Sequence, residues 1–135
     1  MYAQASMKTP AWLLAIAGVL LFSSIAFAQD EKKDDIPDPE CDGGTYQLVK
    51  CLSDATAKWD KRLNAAYREA VNDKETPKEQ REQLRKAQRL WLQFRDANCE
   101  YYALGEGSIS RVNAASCLLD MTKARAKELE AGPQN

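Results

Sequence analysis

Four cysteines are the first residues in this chain with a readable chemistry: Cys41, Cys51, Cys99 and Cys117. If a short chain is exported, an even number of cysteines indicates disulfides, here two; the N-terminus, described below, has the features of an export signal. Three pairings are possible, and we favour Cys41 with Cys51 and Cys99 with Cys117 because each pair brackets one predicted turn. A zinc site is disfavoured, since the chain has no Cys-x-x-Cys pair and no histidine. We therefore expect disulfides and no bound metal.

The chain shows no residue set for nucleophilic catalysis. Without histidine, the usual Ser-His and Cys-His pairs are impossible, and oxidised cysteines do not act as thiolates. Asp60 and Asp96 are the candidates for paired carboxylates of the glycosidase type. Acids on helix surfaces are usually solvated or paired, so the sequence predicts a protein that is not an enzyme and needs no cofactor. A hydrolase acting through these two acids is the alternative.

Several polar side chains lie on or beside predicted apolar faces: Asn64, Gln88, Arg95 and Arg125. A guanidinium group near a core needs a carboxylate partner, which Asp60 or Asp96 would supply. We interpret these residues as a buried network that sets the register of the helices. The alternative is that some of them line a groove for a partner.

The N-terminus has the features of a secretory signal. Lys8 is followed by an almost wholly apolar stretch from Ala11 to Phe27, and Ala26-Phe27-Ala28 has the small residues of a cleavage site. We predict a signal peptide over residues 1–28, a cut after Ala28 and a periplasmic or secreted mature protein. An uncleaved membrane anchor is the alternative; the apolar stretch is short for a membrane span.

The mature chain divides into an acidic, disordered linker over residues 29–40, a helical domain over 41–131 and a short tail over 132–135. Without Lys8, 18 of the 19 basic residues remain against 20 acidic ones, which leaves a net charge of −2. Phosphate binding needs clustered positive charge, so nucleic acid is not expected as a partner. The membrane is not expected as a partner either, once the signal has been removed.

Apolar residues recur at helical spacing in three segments of the domain. The first helix is predicted from Thr45 to about Val71, with the stripe Leu48, Leu52, Ala55, Trp59, Leu63, Ala66 and Ala70. The second has Thr76 as its N-cap, Pro77 at its first position and Glu79 in a capping box, and it extends to about Tyr102. Its stripe is Leu84, Ala87, Trp91, Phe94 and Asn98. The third starts at Ser110 as a cap and contains Ala115, Leu118, Leu119, Thr122, Ala126 and Leu129.

Short loops between these amphipathic helices predict an all-α fold, a small antiparallel three-helix bundle stapled by two disulfides. The loop over residues 105–110 contains two glycines, and the Cys99–Cys117 pair would hold it in a fixed shape. A fixed loop binds a partner at a lower ordering cost. We therefore regard Tyr102, Glu106, Ser108 and Arg111 as candidate partner-binding residues, while a plain helix connection is the alternative.

The sequence resembles the N-terminal domain of LprI-type lysozyme inhibitors, found in exported bacterial proteins. The resemblance extends from about Cys41 to Leu129, and its most specific part is a glutamine, a tryptophan and Arg-Asp-x-x-Cys at residues 88–99. The matching signature positions are Trp59, Asp60, Asn64, Gln88, Trp91, Arg95 and Asp96.

This resemblance implies an exported helical protein that binds a lysozyme, blocking a muramidase by protein–protein contact. The family supplies no established inhibitory residues, so the signature positions transfer as family positions only. The other interpretation is an envelope interaction or stress-related module that binds a different periplasmic protein.

Overall fold

The computed structural model of the protein describes residues 36–132. The predicted signal peptide and its cleavage site, most of the linker and the last three residues of the tail lie outside this part of the chain. The described residues form three helices and no strand: α1 (Thr45–Asn72), α2 (Lys78–Ala103) and α3 (Ile109–Ala131). The predicted all-α class is confirmed, and so are the helix bounds to within one or two residues.

The three helices run up, down and up. Thr45 at the start of α1 donates a hydrogen bond to Ser108 at the start of α3, and Arg62 contacts Glu130 near the α3 end, so these two helices run in the same direction. The helix α2 runs opposite to α3. α3 lies in the middle, packing against both neighbours, whereas α1 and α2 contact each other little. One side of α2 is therefore left uncovered.

Both predicted disulfides are present. Cys41 pairs with Cys51, and Cys99 pairs with Cys117, which leaves no free cysteine in the described chain. The first bond ties the segment before α1 to the second turn of that helix. The second bond joins the last turns of α2 to α3 and closes the loop between them.

The hydrophobic core lies between α1 and α3. It is a cluster of Ala55, Trp59, Leu63, Leu119 and Ala126. The side chain of Trp59 is fully buried, and that of Leu63 is almost so. These residues belong to the predicted stripes of α1 and α3, because the positions that recur every three or four residues share one face of a helix.

Residues 36–40, which the sequence analysis assigned to the linker, lie against the helices. Ile36 packs onto the core cluster, and the carboxylate of Asp38 forms an ion pair with the ammonium group of Lys123 on α3. One apolar side chain and one ion pair, next to the Cys41–Cys51 disulfide, thus hold this end of the acidic segment on the domain.

The predicted capping box of α2 is wrong. The helix begins at Lys78, after Pro77, and no side chain caps it. The Thr76 hydroxyl turns back instead and donates to Asp73 Oδ2 at 2.6 Å, while the Glu75 backbone N–H donates to Asp73 Oδ1. The carboxylate of Asp73 is a stronger acceptor than the Thr76 hydroxyl, so the Thr76 hydroxyl and the Glu75 N–H donate to Asp73 and the capping box does not form. The same bonds lower the pKa of Asp73.

The predicted cap of α3 is also wrong. Ser110 lies inside the first turn of the helix and is buried, and its hydroxyl donates to the carbonyl oxygen of Gly107 at 2.8 Å. The residue before the helix is Ser108, whose side chain caps no backbone group. Gly107 takes a φ of 73°, which other residues rarely adopt, so the loop needs glycine at this position.

Candidate partner-binding surface

The buried polar contact between α2 and α3 involves Gln88 and Arg125. Arg125 Nε donates to Gln88 Oε1 at 3.0 Å, and both side chains are buried. The guanidinium also forms an ion pair with Glu128 at 2.7 Å, one turn along α3. The expectation that Asp60 or Asp96 would be the carboxylate partner of this arginine is wrong, because the closer acid on α3 takes that place.

Trp91 lies beside this contact, half-buried between two arginines. The guanidinium carbons of Arg95 and Arg125 lie 5.4 and 5.9 Å from the centre of its ring. Arg95 donates two hydrogen bonds to the carboxylate of Asp96, so the predicted pairing of an arginine with this acid is present here. Two cations on an aromatic ring hold the tryptophan in place.

Three basic side chains surround Trp59 in the α1–α3 core. Arg62 lies 4.7 Å, Lys127 5.5 Å and Lys123 5.7 Å from its ring centre. Arg62 makes two hydrogen bonds to the carboxylate of Glu130, and both side chains are mostly buried. The long basic side chains therefore cover the tryptophan from water while their charged ends are paired or exposed.

The remaining signature positions, Asp60 and Asn64, lie on the outside of α1. Asn64 Nδ2 donates to Asp60 Oδ2 at 2.9 Å, and Asn64 is exposed. The signature residues thus do not all meet at one site. Trp59 belongs to the α1–α3 core and Trp91 packs against that core from α2, next to Gln88, whereas Asp60 and Asn64 lie apart from it.

The four candidate partner-binding residues lie on one end of the domain, in or next to the loop between α2 and α3. Glu106, Ser108 and Arg111 are exposed, and Tyr102 is 44% exposed. The disulfide, the Ser110–Gly107 hydrogen bond and the contact from Thr45 to Ser108 hold this loop. The loop is therefore ordered in the free protein, so that it would lose little conformational entropy on binding.

Two large apolar residues that lie within or beside the same predicted loop were not singled out among the four candidate residues. Leu104 is 77% exposed and Ile109 is 56% exposed, on either side of the charged tip. Exposed large apolar side chains beside charged ones are typical of protein-binding surfaces. Their position at the ends of predicted helices was visible, but a spacing pattern alone does not say which of them face water.

The placement of Phe94 and Ala87 in the buried stripe of α2 is wrong. Phe94 is 60% exposed and Ala87 is also exposed, whereas Gln88 and Cys99 are the buried residues of this helix. The helix has two apolar faces that lie roughly 120° apart around its axis, and α3 covers only one of them. The predicted stripe mixed residues from both.

Within residues 36–132, no group of three or more potential ligand side chains is placed to hold a metal ion. None of the helices in this range has the length and apolar content that a membrane span needs. Two surface features of the described domain are candidates for binding a partner. One is the end of the domain at the α2–α3 loop, here called the loop end, with Tyr102, Leu104, Glu106, Ser108, Ile109 and Arg111. The other is the face of α2 that no helix covers.

Comparison with known proteins identifies the family of the chain. The chain is 36% identical over 89 residues to an uncharacterised protein, R02472, of Rhizobium meliloti (strain 1021), a match that covers 64% of this chain and 56% of the relative. The chain thus spans little more than half the length of this relative. No solved structure matches significantly. The family described as "Lysozyme inhibitor LprI" matches residues 39–129, which include both disulfides and all of α1 and α2. With a match over this much of its length, the chain belongs to the LprI lysozyme inhibitor family.

Proposed function

We propose that this protein is an exported binding protein that blocks a lysozyme-type muramidase by protein–protein contact. The observation that carries the proposal is the family match over residues 39–129, which spans the helices of the described domain almost completely. The family is one of inhibitors, so the proposal is a binding protein that does not turn over a substrate.

Export agrees with the chemistry of the domain. Two disulfides in a domain of this size are typical of an oxidising compartment, such as the periplasm or the outside of the cell. The signal-like segment over residues 1–28 would direct the chain there, with cleavage after Ala28.

The loop end is the proposed contact surface. Enzymes that hydrolyse glycosides use a pair of carboxyl groups in their cleft, so a cleft of this kind attracts positive charge. Arg111 is exposed beside the loop, and the apolar side chains of Leu104 and Ile109 would bury against the walls of the cleft. The disulfide holds the loop in shape, which reduces the entropy lost on binding.

A lysis assay tests the proposal. The mature chain from Gln29, with both disulfides formed, is mixed with c-type lysozymes and the clearing of a cell-wall suspension is followed. We expect slowing at near-stoichiometric concentrations. If none of the lysozymes is slowed at a large excess of folded protein, the proposal is wrong.

A charge reversal tests the contact surface separately. Arg111→Glu should weaken inhibition by about tenfold or more, because it places a negative charge against the carboxylates of the cleft. Arg68→Glu is the matched control, since Arg68 is an exposed arginine on α1, away from the loop. Equal inhibition by the two variants would remove the loop from the proposal and leave the family assignment unaffected.

A further inference from the structure

The uncovered face of α2 carries a continuous row of apolar side chains, here called the outer stripe. Its residues follow one another at spacings of three and four: Ala87, Leu90, Phe94, Ala97, Tyr101 and Leu104. All six are exposed, and the four large ones are 55%, 60%, 73% and 77% exposed in chain order. A second face of the same helix, with Gln88 and Cys99, is the one that packs on α3.

Spacings of three and four over this length are those of a coiled-coil seam. From Ala87 to Leu104 the stripe is about 26 Å long at 1.5 Å per residue. Nothing among residues 36–132 covers it, because α1 contacts α2 little. A row of large apolar side chains that a helix exposes to water is typical of a surface that packs against another helix.

Charges beside the outer stripe indicate what that other helix is. Lys86, Gln93 and Glu100 are all exposed, seven residues apart, along the edge of the stripe away from α3. Lys86 and Glu100 are thus placed symmetrically about Gln93. When two copies of α2 pair in opposite directions about Gln93, each Lys86 faces the Glu100 of the other copy.

The same pairing brings apolar residues together. Leu90 lies three residues before Gln93 and Phe94 one residue after it, so Leu90 of one copy comes within about 3 Å, along the helix axis, of Phe94 of the other copy and would pack beside it. In a parallel pair this edge of one copy would instead face the opposite edge of the other copy, which carries Trp91 and Asn98, so Lys86 and Glu100 would not meet. The stripe and its charges are complementary to themselves only in the antiparallel arrangement.

The area available is sufficient for a weak, specific dimer. An aromatic side chain buries about 150–250 Å² when covered, so Phe94 and Tyr101 at their present exposure would contribute roughly 250 Å² per copy. With Leu90, Leu104 and the flanking stems, two copies would bury on the order of 1,000 Å², at the lower limit of specific interfaces.

We propose that the outer stripe of α2 is the interface of an antiparallel, two-fold dimer with a second copy of this chain. This proposal does not rest on the proposed function. The dimer leaves the two loop ends at opposite ends of the pair, since each loop follows the C-terminal end of its own α2. Leu104 lies where the outer stripe meets the loop, so in the dimer the contact of the loop with a partner rests on Ile109 and Arg111.

Sedimentation equilibrium of the mature protein, from about 10 μM to about 1 mM, measures the association. We expect a monomer–dimer equilibrium. Phe94→Glu should raise the dissociation constant at least tenfold, whereas Tyr46→Glu, the same change at an exposed aromatic residue on α1, should leave it unchanged. A protein that is monomeric throughout, or a dimer that Phe94→Glu does not weaken, overturns the proposal. Circular dichroism and a thiol count show that each variant is folded and oxidised.

Charge exchange tests the direction of the pairing. Lys86→Glu and Glu100→Lys should each weaken the dimer severalfold, because each creates two like-charge contacts. The double variant should restore the dissociation constant to within about twofold of the parent, since every contact is again between opposite charges. In a parallel pair residues 86 and 100 do not face each other, so single variants that leave the dimer unchanged, or a double variant that is not restored, overturn the antiparallel arrangement.

Discussion

Arg125 on α3 donates its Nε–H to the side-chain oxygen of Gln88 on α2 at 3.0 Å, with both side chains buried. This bond joins two helices that are otherwise held together by the Cys99–Cys117 disulfide and by the packing of Trp91. The glutamine supplies a neutral acceptor of suitable length, so the arginine is satisfied without a second buried charge.

Replacing Gln88 by leucine should destabilise the domain by about 1–3 kcal/mol, because the buried Nε–H of Arg125 is left without its acceptor. Urea unfolding followed by circular dichroism measures the change. Gln88→Glu retains an acceptor and should be the milder substitution. A Gln88→Leu variant as stable as the parent would show that water replaces the lost bond.

Trp59→Ala should cost about 3–5 kcal/mol of stability, because the largest fully buried side chain of the core would be replaced by a cavity. Trp59→Phe fills most of the space and should cost less. The measurement is again the unfolding midpoint in urea. A loss below about 1 kcal/mol for the alanine variant would show that the three basic side chains around the ring collapse into the space.

Thr122→Val should be neutral or stabilise the domain by about 1 kcal/mol. Thr122 is fully buried, and its hydroxyl has no hydrogen-bond partner among residues 36–132. Valine keeps the shape and removes the unsatisfied group. Thr122→Ser is the control, which keeps the hydroxyl and loses a methyl group, and it should destabilise by about 1 kcal/mol. Thermal unfolding of the parent and the two variants gives the order of their stabilities. Destabilisation by valine would show that the Thr122 hydroxyl has a hydrogen-bond partner in solution.

Each disulfide should contribute about 3 kcal/mol, because the loops it closes span 10 and 18 residues and cross-linking removes chain entropy from the unfolded state. The variants are the paired serine substitutions at Cys41 and Cys51, and at Cys99 and Cys117. The second pair should cost more, since Cys99 is buried and its bond closes the longer loop. A thiol titration of the exported protein should detect free thiols only after reduction.

Acid should weaken the attachment of residues 36–40 to the helices. The hydrogen bond and the charge of Lys123 lower the pKa of Asp38 in the folded protein. The stabilising contribution is therefore present above the ordinary aspartate pKa and is lost as the pH falls through the lowered value. An NMR titration of the Asp38 carboxyl should show this lowered pKa. Lys123→Met should return it towards the ordinary value; an unchanged titration would contradict the ion pair.

The helices and disulfides could be predicted because their signals are local. Apolar spacing in α1 and α3 predicted the faces that form the core, and the two cysteine pairs bracket one turn each. The helix caps were not predicted correctly. Thr76 and Ser110 have the right residue types, yet Asp73 and the carbonyl of Gly107 compete for their hydroxyls. Such competition depends on how the loops fold back.

The candidate surface was predicted only in part. The glycines and cysteines indicated an ordered loop, whereas the exposure of Leu104 and Ile109 could not be read from spacing. The carboxylate partner of Arg125 was predicted wrongly although a local signal existed: Glu128 lies three residues on along the same helix, a spacing at which side chains meet, whereas Asp60 and Asp96 lie on other helices.

The sequence by itself determined three helices and the resemblance to the family, and it favoured one of three cysteine pairings, since these follow from spacings of a few residues and from residue identity. The structure confirms that pairing. Only the tertiary structure decided which of the two apolar faces of α2 is buried. That choice depends on where α3 lies, because an amphipathic helix with two apolar faces packs equally well by either until a neighbour occupies one. Gln88 is inside and Phe94 is outside for this reason.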